Sequence, residues 1–119
     1  MKGKKVLLLV ESQKDAMDRA VSLLKKPTKR FAGMMIISFP DFETLGKVIT
    51  GSRLELLKAI RIHKPKSIQE LSRVLKRDFK NVYQDVRILA DVGLIDLKES
   101  GPRKASKPES KYSEIVLAA

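Results

Sequence analysis

Asp78-Phe-Lys-Asn-Val-Tyr-Gln-Asp-Val-Arg-Ile-Leu-Ala-Asp-Val-Gly-Leu-Ile95 is the stretch from which the fold of this chain can be read. Phe79, Val82, Tyr83, Val86, Leu89 and Ala90 recur at three- and four-residue spacing, which places them on one side of an α-helix. Lys80, Asn81, Gln84, Arg87 and Ile88 then fall on the other side. Asp78 is a candidate N-cap, its carboxylate accepting the free amides of the first turn, and Gly93 stands where helices commonly end in a left-handed residue. A face with two amides, a lysine and an arginine but almost no acid suits base edges in a DNA major groove better than plain solvent.

The flanking segments extend this pattern. Ser67-Ile68-Gln69-Glu70 has capping-box spacing, and Ile68, Leu71 and Leu75 make the core stripe of a short helix ending near Lys76. Only Arg77 and Asp78 then separate two amphipathic helices, as in a helix-turn-helix, whose second helix enters the groove. Downstream, 94–98 reads as a strand, 100–110 as a loop rich in Gly, Pro, Ser and Lys, and 112–117 as a returning strand. This order of elements predicts a winged helix-turn-helix, with recognition helix 79–91 and basic wing 98–111.

The run Leu89-Ala90-Asp91-Val92-Gly93-Leu94-Ile95 resembles the helix-to-wing junction of winged helix-turn-helix transcriptional regulators of the MarR and ArsR type. The likeness covers roughly Thr50 to Leu117. A closer resemblance, carried by Thr50, Arg53, Leu56-Leu57, Ile60, Arg77-Asp78, Asn81-Val82 and Asp85-Val86, is to a small prokaryotic group of proposed DNA-binding regulators. Some of that group are thought to be antitoxins encoded beside a toxin, so the resemblance adds a toxin protein to the candidate partners.

Composition narrows the function classes. With 119 residues the chain has room for one domain, or a small DNA-binding unit with an appendage. Its net charge of +11 and pI near 10.0 call for an acidic partner: DNA, RNA or an anionic surface. The absence of cysteine excludes a disulfide scaffold and thiolate metal sites and fits a reducing cytoplasm, the expected location. No run reaches the ~18 apolar residues of a membrane helix, so no membrane partner is expected. The apolar run 6–10 ends at Glu11 with no small-residue cleavage site after it, unlike a signal peptide.

Val6-Leu-Leu-Leu-Val10 reads as a buried strand. Ser12 caps the next helix, on which Ala16, Met17, Ala20, Val21 and Leu24 form the predicted core face. Met34 to Phe39 is a second strand, giving a short N-terminal βαβ segment over 1–40. Both strands are nearly continuously apolar, which implies cover on both faces, yet one helix covers one face and two strands make a marginal sheet. Either two copies associate through this segment, making it a dimerisation or partner-binding region, or the connecting helix and the winged domain supply the cover. The connecting helix, 41–51, carries Phe42, Leu45, Val48 and Ile49. Ser52 with Glu55 has capping-box spacing and opens the winged helix-turn-helix domain, 52–119, with Leu54, Leu56, Leu57 and Ile60 inward. The expected fold class is therefore α+β.

The candidate DNA-binding residues are Lys66, Ser67, Lys80, Asn81, Tyr83, Gln84, Arg87, Arg103, Lys104 and Lys107. Asn81, Gln84 and Arg87 are three apart and form a ridge; Asn and Gln pair two ways with adenine, Arg with guanine. Tyr83 borders the apolar face and is either core or a contact to a thymine methyl and a phosphate. Arg103, Lys104 and Lys107 belong to the wing, where they reach backbone or minor groove. Lys66 and Ser67 open the first helix of the motif, beside its free amides. Asp85 fits a DNA-facing helix least well and is expected to pair with Arg53, Arg77 or Arg73, orienting the helix. His63 is the only histidine and has no ligand cluster around it, and Met17, Met34 and Met35 read as core. No nucleophile-base pairing or phosphate loop is present, and Gly33, Gly46 and Gly51 are too scattered for one, so neither an enzyme nor a cofactor is expected.

The leading expectation is a homodimeric, sequence-specific regulator of double-stranded DNA. The alternatives are an antitoxin that binds a toxin through its N-terminal segment and autoregulates, and a non-specific chromatin-type or RNA-binding protein.

Overall fold

The computed structural model describes residues 4–25, 34–99 and 106–119. These form five helices and five strands, a mixed α/β chain that divides into two compact units: 1–47 with 112–119, and 48–111. Among the described residues no helix is long and apolar enough to cross a membrane.

The first unit is built on a three-stranded parallel sheet of β1 (Lys4–Val10), β2 (Met34–Phe39) and β5 (Tyr112–Ala118), in the order β2-β1-β5. Val6 lies opposite Met35 on one side and Ile115 on the other, and Leu8 opposite Ile37 and Leu117. As the central strand β1 buries Val6, Leu7 and Leu8 in succession, residues that point alternately to the two faces of the sheet, which fits the continuously apolar run Val6–Val10. Helix α1 (Gln13–Lys25) joins β1 to β2, so the expected βαβ unit forms with parallel strands. Ser12 caps it, accepting from the Asp15 amide at 3.1 Å. Arg19 is tied to Glu11 at 2.6 Å and Ser38 donates to the same carboxylate at 2.8 Å, fixing α1 to the ends of both strands. The Arg19 hydrogen bond holds the Glu11 carboxyl below the usual glutamate range.

Several expectations are corrected in this unit. The 112–117 strand does not return along the wing; it joins the N-terminal sheet beside β1, because its Ile115-Val116-Leu117 run matches the open edge of that sheet. The sheet thus gains its third strand from its own chain and needs no second copy for that. On α1 the predicted core face is turned outward: Ala16, Arg19 and Leu23 are partly covered, while Met17, Ala20, Val21 and Leu24 are exposed. Met35 is exposed as well. The connecting helix α2 (Phe42–Val48) is shorter than expected; Asp41 caps it, accepting from the Thr44 amide at 2.7 Å, and Leu45 is buried while Phe42 is exposed.

The second unit runs α3 (Gly51–His63), α4 (Ile68–Leu75), α5 (Phe79–Val92), β3 (Ile95–Glu99) and β4 (Ser106–Ser110). Leu56, Leu57, Ile60, Ile68, Leu71, Val82, Val86, Leu89, Leu94 and Ile95 make its core. Leu54, expected inward, is exposed. Helix α3 is capped by Thr50, which accepts from the Arg53 amide at 3.2 Å, and not by Ser52. Strand β4 pairs antiparallel with β3, Leu97 opposite Pro108, and lies in the segment expected to be loop. Its Ser-Lys-Pro-Glu-Ser sequence has no alternation to betray a strand. Pro108 is nevertheless fully buried, and an edge position tolerates its missing amide.

Gly93 ends α5 at φ +97, its amide bonding to Ala90 O and that of Leu94 to Leu89 O. A Cβ there would meet nothing within 4 Å, so the cost of Gly93→Ala is purely that of left-handed backbone. Thermal or urea unfolding should show a loss of about 1 kcal/mol.

Candidate nucleic-acid interface

Helix α4 begins at Ser67, whose hydroxyl accepts from the Glu70 amide at 3.0 Å, as its capping-box position predicts. It ends at Lys76 in the left-handed conformation, with Arg77 N bonding back to Ser72 O at 3.1 Å. Three residues, Lys76 to Asp78, therefore turn the chain from α4 into α5. Asp78 occupies the N-cap position, but its carboxylate makes no capping hydrogen bond, which corrects the expectation for it.

Along α5, Val82, Val86 and Leu89 are buried and Lys80, Asn81, Gln84 and Arg87 are exposed, on the face where the spacing puts them. All four side chains are exposed, which leaves their donors and acceptors open to solvent. Tyr83 is half exposed and pairs with Phe79, ring centroids 6.0 Å apart. Phe79, expected in the core, is half exposed too, so the helix begins with an aromatic pair at the border of its polar face. The apolar side of α5 is wider than one buried stripe needs, and Phe79 and Tyr83 lie at its margin, where Tyr83 was expected.

Asp85 is turned away from the ridge. Its Oδ1 accepts from Arg53 Nε at 3.1 Å and its Oδ2 from Arg77 Nη2 at 2.8 Å. Arg53 also donates through Nη1 to Val48 O at 2.9 Å. One carboxylate thereby links the first turn of α3, the turn before α5 and α5 itself. The acid expected to fit a DNA-facing helix least well is engaged by two guanidinium groups, both among the partners expected for it.

The remaining candidates are more scattered. Lys66 is exposed and follows the buried Pro65, while Ser67 is partly buried and already serves as a cap. Lys107 is exposed on β4, 3.6 Å from Glu109, which also meets Lys98 at 3.2 Å. The Lys98 hydrogen bond holds the Glu109 carboxyl below its usual range. Arg103 and Lys104 lie outside the described residues. Arg73 and Lys76, exposed at the end of α4, were not among the candidates, although Arg73, Lys76 and Arg77 form a basic cluster at the turn that could have flagged them.

A hollow of about 260 Å³ lies in the other unit, lined by Glu11, Gln13, Ala16, Ser38, Phe39 and Pro40. Its one acid is engaged by Arg19 and Ser38. Among the described residues no group of three or more His, Cys, Asp or Glu side chains could hold a metal ion.

No curated protein matches this sequence. Residues 48–117 match the family HVO_A0114, a span that takes in all of the second unit and most of β5. With more than half of its length inside that match, the chain belongs to the HVO_A0114 family.

Proposed function

We propose that residues 48–111 act as a winged helix-turn-helix that binds double-stranded DNA sequence-specifically and regulates transcription. In this reading α5 enters the major groove, and the segment between β3 and β4 lies on the backbone or in the minor groove. The observation that carries it is the exposed Lys80–Asn81–Gln84–Arg87 face on a helix entered by a three-residue turn, with Asp85 neutralised beneath it. Helix, turn, helix and antiparallel strand pair follow in the order expected of a winged helix-turn-helix, which supports the reading. The unit's fifteen Lys and Arg against eight Asp and Glu supply the attraction to phosphate.

Selection of binding sites from random duplex DNA at moderate salt tests the reading. An enriched motif is expected, palindromic if the chain is a homodimer, with half-sites one helical turn or a multiple apart. Arg87→Ala or Gln84→Ala should cost about 1–3 kcal/mol on that motif and relax the preference at one position. Lys104→Ala should weaken all sequences alike and lower the slope of log affinity against log salt by about one. Tight, salt-sensitive binding with no enriched motif would overturn sequence specificity in favour of a non-specific DNA- or RNA-binding protein.

A further inference from the structure

Helix α1 buries none of its thirteen residues, which is unusual for the crossover helix of a parallel unit. At 100° per residue, Ala16, Arg19 and Leu23 lie on one line, held toward the sheet by the Glu11–Arg19–Ser38 cluster. Met17, Ala20, Val21 and Leu24 lie on a second line about a third of a turn away, and this is the larger apolar surface. It faces solvent: Met17 is 62% exposed, Val21 47% and Leu24 84%. Spacing of three and four residues makes it a continuous seam of the kind that packs against another helix.

The charges beside the seam select its occupant. Lys14, Asp18 and Lys25 follow its solvent edge, with Asp18 in the first half of the helix and Lys25 in its last turn. If a second α1 packs antiparallel across Val21, each Asp18 comes beside the other copy's Lys25, giving two equivalent opposite-charge pairs. The helix dipoles then also oppose each other. In a parallel two-fold pair this edge of one helix faces the opposite flank of the other, so Asp18 and Lys25 do not meet and the helix dipoles align unfavourably. The seam is therefore self-complementary in one orientation only, the isologous arrangement of a two-fold dimer.

We propose that α1 is the dimerisation surface of this protein, taking a second copy of the same chain in an antiparallel two-fold seam of Met17, Ala20, Val21 and Leu24. The seam deepens the two-fold reading of the operator but rests on no property of α5. It is tested without nucleic acid, so a monomer that still selects a DNA motif would defeat the seam and leave the DNA reading standing.

The experiment is the mass of the full chain at micromolar concentration by sedimentation equilibrium. Twice the 13.4 kDa chain mass is expected. Val21→Glu should give the single-chain mass with an unchanged far-ultraviolet spectrum, because the side chain is already exposed. Asp18→Lys and Lys25→Glu should each weaken the dimer about tenfold, since two attractive pairs become repulsive, and the double variant should restore it. A monomeric wild type overturns the proposal, as does a dimer indifferent to Val21→Glu or a double variant no tighter than the singles. A monomer that co-sediments with anionic lipid vesicles through the same residues would also overturn it, assigning the stripe to a membrane surface.

Discussion

Asp85→Ala should lower the stability of the second unit by about 2–3 kcal/mol, seen as a fall in the urea midpoint. The estimate starts from the roughly 3–5 kcal/mol lost when one partner of a buried ion pair is removed, discounted because this triad is not wholly dry. The Asp85 side chain is 13% exposed, that of Arg53 15% and that of Arg77 30%. Removing the carboxylate leaves two guanidinium groups facing each other, and Arg77 Nη1 is already buried without a partner among the described residues. Asp85→Asn keeps the shape and loses the charge, so it should fall between wild type and alanine. The loss is also directional. Asp85 joins α3, the α4–α5 turn and α5, so on the proposed DNA-binding reading its removal should weaken every DNA sequence together, unlike Arg87→Ala. A urea midpoint unchanged in Asp85→Ala would remove the triad from the forces that hold α5 in place.

Ending the chain at Lys111 should have an equally large effect, confined to the other unit. Without β5 the sheet has two strands, and β1 loses the neighbour opposite Val6, Leu7 and Leu8. The lost contacts of Ile115, Val116 and Leu117 amount to about 3 kcal/mol, enough to unfold so small a unit. Amide hydrogen exchange resolves the outcome: β1 and β2 should exchange freely, while the amides of Leu71, Val86 and Leu89, in a core that β5 does not build, stay protected. Were 112–118 the returning strand of the wing, the truncation would instead expose β3. Protected β1 amides in the shortened chain would contradict the pairing of β5 with β1.

Helices α4 and α5 were legible because each carries its own signals. Ser67 and Glu70 mark one start, Gly93 marks an end, and Val82, Val86 and Leu89 repeat at the helical period. The Asp85 pairing was legible too, since a lone acid beside several arginines has few alternatives. Strand β4 was not, because Pro108 and two serines look like a loop until packing buries the proline. The outward turn of Met17, Val21 and Leu24 was equally hidden: periodicity defines an apolar face but not the side on which the sheet lies. In α1 the Arg19–Glu11 ion pair, and not the largest apolar residues, accompanies the covered side.

The sequence by itself determined the local elements of this protein: where helices start and stop, which residues of α5 share a face, and that β1 is buried on both sides. Those properties follow from period, caps and charge within a dozen residues. Only the tertiary structure decided which sheet receives Tyr112–Ala118, which strand answers β3, and which line of α1 is covered. Each of these is a choice between partners far apart in the chain, and an apolar run such as Ile115-Val116-Leu117 carries no label for its neighbour. Parallel pairing with β1 settled its place, and with it the division of the molecule into a parallel sheet and a second unit that lies in the chain between its β2 and β5 strands.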